Sequence, residues 1–241
     1  DAAHRAAGHA LTAPQAKMAR LFHSLGATGV PLGGVGTGGI VRASDGRFTR
    51  WTVKAGGVAV FDMPANGFLL RVRPDGAAPQ ARALQPEPAQ GGPAAWRYEA
   101  ETPEWGGLFP MAWHRHAPLA GVVAECRAFS PVIPGDFDTA CLPVAVFEWR
   151  LTNTGPAPAE ASLAFSFANL NGWFDTAREA RPDRVAAGCW NRAMAVPDGA
   201  GVILDRRRAA DPPPEGTGEW AIALTGGDAA SHTLCFDAEG G

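Results

Sequence analysis

The sequence predicts an all-β protein, a large antiparallel β-sandwich preceded by one short N-terminal helix. Gly (30) and Pro (21) are too abundant in 241 residues for a helical bundle but suit many strands joined by turns. Several segments alternate apolar and polar residues, the period of a half-buried strand. No strand–helix alternation is present from which a parallel α/β sheet could be built. With 46% hydrophobic and 19% charged residues, the chain is not of disordered composition, and its length suffices for a sizeable core.

The elements follow in order. Thr12 and Gln15 have capping-box spacing, and Met18, Leu21, Phe22 and Leu25 recur at helical intervals, so residues 1–28 read as an arm with a helix. A Gly-rich run, Gly29–Gly39, follows. Ile40-Val41-Arg42, a turn at Ser44-Asp45-Gly46 and the strand Phe48–Val53 then form a hairpin. Further strands are expected at Val58–Met63, Gly67–Val72, Leu108–His116 and Val122–Ser130, with Gln80–Pro93 as a loop. The clearest pair is Pro143–Asn153 with Glu160–Asn169, expected as neighbours through the turn Thr154–Ala159. Ala145, Phe147, Trp149 and Leu151 share one face of the first strand; Leu163, Phe165 and Phe167 share one face of the second. Later strands are placed at Cys189–Val196, Gly201–Asp205, Glu219–Leu224 and Thr233–Phe236, with a Pro-rich loop at Asp211–Gly218.

Composition also excludes function classes. A net charge of −3 lacks the electrostatic footprint of a nucleic-acid binder. No run approaches the roughly 18 apolar residues of a membrane span. Cys126, Cys141, Cys189 and Cys235 form no CxxC pair and read as free thiols, which the chain is long enough to tolerate. No basic, apolar and small-residue sequence marks a signal peptide, so a cytoplasmic location is expected. Only two lysines, Lys17 and Lys54, accompany many arginines, a GC-rich signature that points to a bacterial source. The opening at Asp1 and the closing Glu239-Gly240-Gly241 read as cut ends of a longer protein.

Several motifs carry residue types capable of chemistry. Gly34, Gly36 and Gly39 satisfy GxGxxG, but a strand follows where a dinucleotide site needs a helix N-terminus. The run therefore reads as a glycine-permitted path between strands, open to a close neighbour. His114 and His116 share one strand face and could share a metal, yet no third ligand is identifiable; ordinary hydrogen bonding is the simpler reading, and no metal or cofactor is expected. Asp136, Asp138, Glu99, Glu101 and Glu104 are candidates for glycosidic acid–base work, but each reads as a solvated or turn-capping carboxylate. Trp149 reads as core. Trp105, Trp173 and Trp190 have the polar surroundings of an indole that packs an interface or stacks on a sugar.

Four segments stand out together: GVPLGGVGTGG with DGRFTRW (Asp45–Trp51), FPMAWHRH (Phe109–His116), CRAFSPVIPGDFDTACLPVAVFEWRLTN (Cys126–Asn153) and SLAFSFANLNGW (Ser162–Trp173). In this order they resemble the N-terminal domain of glycoside hydrolase family 116, the non-lysosomal glucosylceramidase and bile-acid β-glucosidase group. The resemblance implies that residues 29–241 form a β-sandwich, truncated here, followed in the parent by an (α/α)6 barrel. That barrel would hold the catalytic glutamate and aspartate of a retaining β-glucosidase, so no catalytic residue is expected in this segment. Thr37, Arg50, Trp51, His114, His116, Asn169 and Trp173 are expected on the face toward barrel and substrate. The expected partners are the chain's own barrel and a β-linked glycoside. The alternative is a stand-alone, lectin-like carbohydrate-binding module.

Overall fold

A computed structural model describes residues 29–53, 58–60, 63, 65–88, 96–100, 102–171, 188–206 and 218–226. The expected helix around Thr12–Leu25, Trp173, Cys235 and the strand Thr233–Phe236 lie outside them. The chain divides into two compact units: residues 1–92 with 96–166, and 93–95 with 167–241.

The first unit holds three antiparallel sheets. One runs β1 (Gly29–Gly34), β2 (Gly38–Ala43), β3 (Phe48–Trp51) and β4 (Ala59–Val60). A second pairs β5 (Gly67–Pro74) with β6 (Gln80–Ala83) on one side and β11 (Ala159–Ser166) on the other. The third has the order β10-β9-β8-β7, with β7 Glu104–Leu108, β8 Met111–Arg115, β9 Val122–Phe129 and β10 Val146–Asn153. Among the described residues only one short helix is present, α1 (Phe137–Ala140), capped by the Asp136 carboxylate accepting from the Thr139 N–H at 3.1 Å. The antiparallel all-β class expected from turn content and alternation is the one observed.

The glycine run is itself a hairpin. β1 and β2 pair from Gly29↔Ala43 to Gly34↔Gly38 around a turn at Val35–Thr37. Two positions require glycine. Gly33 has φ +136°, and a Cβ on Gly34 would lie 2.3 Å from the Cys141 carbonyl oxygen. The β2–β3 hairpin also forms, its turn closed by Gly46 N–H to Ala43 O (3.0 Å) and by the Asp45–Arg47 ion pair (2.6 Å).

The structure corrects three expectations. Trp149 and Phe165 do not sit on neighbouring strands: β10 pairs with β9, while β11 pairs with β5 across a different sheet. The connector 154–158 carries the chain from one sheet to the other. Thr154 N–H is held by Gly121 O (2.8 Å), and Pro158 O accepts from Asp75 N–H (2.9 Å). Alternation assigns a face and not a partner, and five residues are long enough to cover the roughly 10 Å between packed sheets. Second, Gln80–Ala83 is a strand at the start of the expected loop, paired to Leu69–Val72. Third, the expected strand Leu108–His116 is the second arm of a hairpin whose first arm is β7 and whose turn is at Phe109-Pro110. Gly106 and Gly107 hide β7 from any propensity reading.

The core of the first unit is aromatic and lies between the β5 and β7–β10 sheets. Phe68 stacks on Phe165 at 4.4 Å and meets Phe147 at 5.3 Å and Trp149 at 4.8 Å; Phe48 packs edge-on to Phe147 at 5.8 Å. The second unit contains an antiparallel sheet β12 (Cys189–Met194), β13 (Gly199–Arg206) and β14 (Trp220–Thr225), with Leu170 and Leu204 buried.

Candidate functional site

The densest group of polar side chains in the first unit is interior. Cross-strand register places Trp105, His114, Cys126 and Trp149 in one row on the inward face of the β7–β10 sheet. Arg42 reaches this row from β2. It is aimed inward beside a β-bulge, where Phe48 and Thr49 together oppose one residue of β2. The Arg42 side chain is fully buried. Its Nη1 donates to Cys126 Sγ at 2.8 Å and its Nε to Gly46 O at 3.4 Å. The guanidinium carbon sits 5.1 Å from the Phe68 ring centre, 5.2 Å from Trp149 and 5.9 Å from Phe147. No carboxylate pairs with it among the described residues, so aromatic faces and the thiol take the place of a counter-ion.

The two histidines flank this cation. Their rings lie nearly parallel, 6.3 Å apart at 13°. His114 Nε2 donates to Ala43 O at 2.9 Å, and His116 Nδ1 donates to Glu99 Oε2 at 2.7 Å. Glu99 is buried as well, and its other oxygen lies 3.3 Å from Arg82 Nη2, which also donates to Ala117 O. Burial, reinforced by the Arg42 charge, holds the His114 imidazole well below its usual 6.5. Burial lowers His116 too, against the opposing pull of its hydrogen bond to Glu99. Both are therefore neutral at pH 7, with His114 Nδ1 and His116 Nε2 as bare acceptors. Burial raises the Cys126 thiol, with Arg42 opposing, so it stays protonated. No group of His, Cys, Asp and Glu among the described residues is arranged to hold a metal ion. Chemically this is a sealed structural network.

Of the seven expected site residues, Trp173 lies outside the described residues and the other six fall in different places. His114 and His116 belong to the interior network, and Trp51 is buried in β3. Thr37 lies exposed at the tip of the glycine hairpin, its hydroxyl donating to Cys141 O at 2.8 Å. Arg50, on β3, is half-exposed. Asn169 is in the second unit, where its amide donates to Trp190 O, Asn191 Oδ1 and Asp205 O at 2.9–3.1 Å while its oxygen accepts from Asn171. Glu99, expected to be a solvated or turn-capping carboxylate, is instead buried against His116 and Arg82, and the sequence does not single out Arg42 and Cys126 as members of the network. The sequence signal for Arg42 is its interruption of an apolar strand; Cys126 carries none, and only the register sets it opposite His114.

A second feature surrounds the hairpin tip. Val35 N–H donates to Ala140 O (2.8 Å), Gly33 N–H to Ser130 Oγ (2.6 Å), and Ser130 N–H to Pro110 O (3.3 Å). These bonds gather the glycine hairpin, the segment 130–144 and the β7–β8 turn at one end of the unit. That end exposes Val35, Leu108, Phe109, Ile133, Phe137 and Leu142, with Phe137 75% and Leu108 68% accessible.

The described residues thus form an all-β, sandwich-like class of domain, with a buried polar network and an exposed apolar end in the first unit. Residues 29–241 match the family model described as beta-glucosidase 2, glycosyl-hydrolase family 116 N-term, and the chain belongs to that family. A domain of this kind implies a C-terminal catalytic domain in the parent protein. Among the described residues, no helix is long and apolar enough to cross a membrane.

Proposed function

We propose that this chain is the non-catalytic N-terminal sandwich of a retaining β-glycosidase acting on β-glucosides. It scaffolds the (α/α)6 catalytic barrel and forms one side of the substrate cleft. The supporting observation is the apolar end around Val35 and Phe137 in a chain of this family. Exposed apolar clusters of this kind are characteristic of interfaces. The occupant is the parent's catalytic domain, seated on the glycine hairpin, α1 and the β7–β8 turn, with Thr37 and Arg50 nearest the cleft. Residues 29–241 act as one family domain across both units. The free thiols Cys126 and Cys141 suit a reducing, cytoplasmic setting.

Phe137→Asp in the full-length protein tests this. At a solvent-facing position it costs within about 0.5 kcal/mol; at a buried interface it costs several times that. The expected result is a fall of several degrees in Tm and at least about a tenfold loss in kcat/KM on an aryl β-glucoside. Unchanged Tm and unchanged kinetics would contradict the docking surface.

A further inference from the structure

The outward face of the β7–β10 sheet carries a feature that neither the interior network nor the apolar end uses. Register places Gly106, Trp113, Arg127 and Glu148 in one cross-strand row and Glu104, Arg115, Glu125 and Arg150 in the adjacent row. Trp113 is 40% exposed. Its partner Gly106 has no side chain, and a Cβ built there would meet Trp113 Cε3 at 3.7 Å, so the indole lies against the glycine. Cross-strand cover of a glycine by an aromatic ring lays the ring down on the sheet. Ion pairs border it. Arg127 Nε donates to Glu148 Oε2 at 2.7 Å, and Arg115 Nη1 donates to Glu125 Oε1 at 3.1 Å.

We propose that Trp113 and these two ion pairs form a surface subsite for a gluco-configured pyranose of a β-glucan chain. Such a ring presents axial C–H groups to an aromatic face and equatorial hydroxyls around its rim. The hydroxyls donate to the lone pairs that each Glu keeps free of its Arg, and accept from the remaining guanidinium N–H groups. A hydrophobic protein surface would leave those charged groups desolvated, whereas a polyhydroxylated ring matches them. The subsite is independent of the docking reading, because it lies on a different surface and uses none of the same residues.

Affinity electrophoresis of the full-length protein in native gels containing hydroxyethyl cellulose tests it. The wild type is expected to be retarded. Trp113→Ala is expected to lose at least about tenfold in apparent affinity, and Trp113→Phe to keep part of it. Trp190→Ala, which removes a comparably exposed indole from the other unit, is expected to be retarded like the wild type. Hydrolysis of a small aryl β-glucoside is expected to be unchanged in Trp113→Ala, which also reports that the variant is folded. An unretarded wild type, as when another protein surface covers Trp113, would overturn the proposal. So would equal retardation of wild type and Trp113→Ala.

Discussion

Arg42 is the residue on which the interior turns. A buried guanidinium with no carboxylate partner among the described residues costs several kcal/mol of desolvation, which three aromatic faces, a thiol and one carbonyl offset only in part. Replacing it with an apolar side chain of similar length should therefore be tolerated. Arg42→Met is expected within about 1 kcal/mol of wild type or above it, and Arg42→Ala, which leaves a cavity, about 3 kcal/mol below. Chemical denaturation distinguishes the two, and an Arg42→Met as damaging as Arg42→Ala would show that the charge itself is required. Glu99→Gln is expected to cost about 3 kcal/mol, because it strips Arg82 of its buried carboxylate and weakens the anchor of His116. The histidines set a pH dependence. Their folded pKa values lie below 6.5, so below that pH the unfolded chain binds protons the fold refuses, and stability falls as pH drops. Urea midpoints between pH 7.5 and 5 should decline, less steeply in His114→Gln, whose amide can still donate to Ala43 O. At this scale little was legible. Glu99 reads like its neighbours Glu101 and Glu104 in sequence, and only tertiary contact with His116 separates it from a solvated carboxylate.

At the scale of elements, the glycine hairpin makes the sharpest prediction. Gly34→Ala places a methyl group against the Thr37 hydroxyl and 2.3 Å from a backbone oxygen of Cys141; the hydroxyl can rotate away but the backbone cannot, and the change should cost about 2–3 kcal/mol. Gly36→Ala meets nothing within 4 Å but has φ +77°, so it should cost only about 1 kcal/mol. Thermal melts of the two variants check this ordering. Hairpins were legible where turn chemistry is local, as at Ser44-Asp45-Gly46. The partner of β11 was not, because its alternation is satisfied equally well beside β10 or β5. The choice is made by aromatic packing at long range, with Phe165 stacked on Phe68. β7 was missed for the opposite reason. Its two glycines carry no pattern, yet the backbone of both pairs fully with Ala112 and Trp113.

At the scale of the molecule, turn content and alternation were enough to establish antiparallel sheets, since any packing of amphipathic strands needs both. The family could be read from motif order across residues 29–173, and the match over 29–241 agrees with it. The apolar end was not legible, because Val35, Leu108 and Phe137 are far apart in sequence and ordinary in composition. Folding gathers them through the hydrogen bonds at Ser130 and Ala140. Hydroxyl-radical footprinting of the full-length protein tests the central claim, that this end seats the catalytic domain. Phe137 and Trp113 are both exposed aromatic residues of the first unit, one on the apolar end and one on the open sheet face. The account predicts that Trp113 is labelled rapidly while Phe137 is protected. Labelling of Phe137 as fast as Trp113 would contradict it.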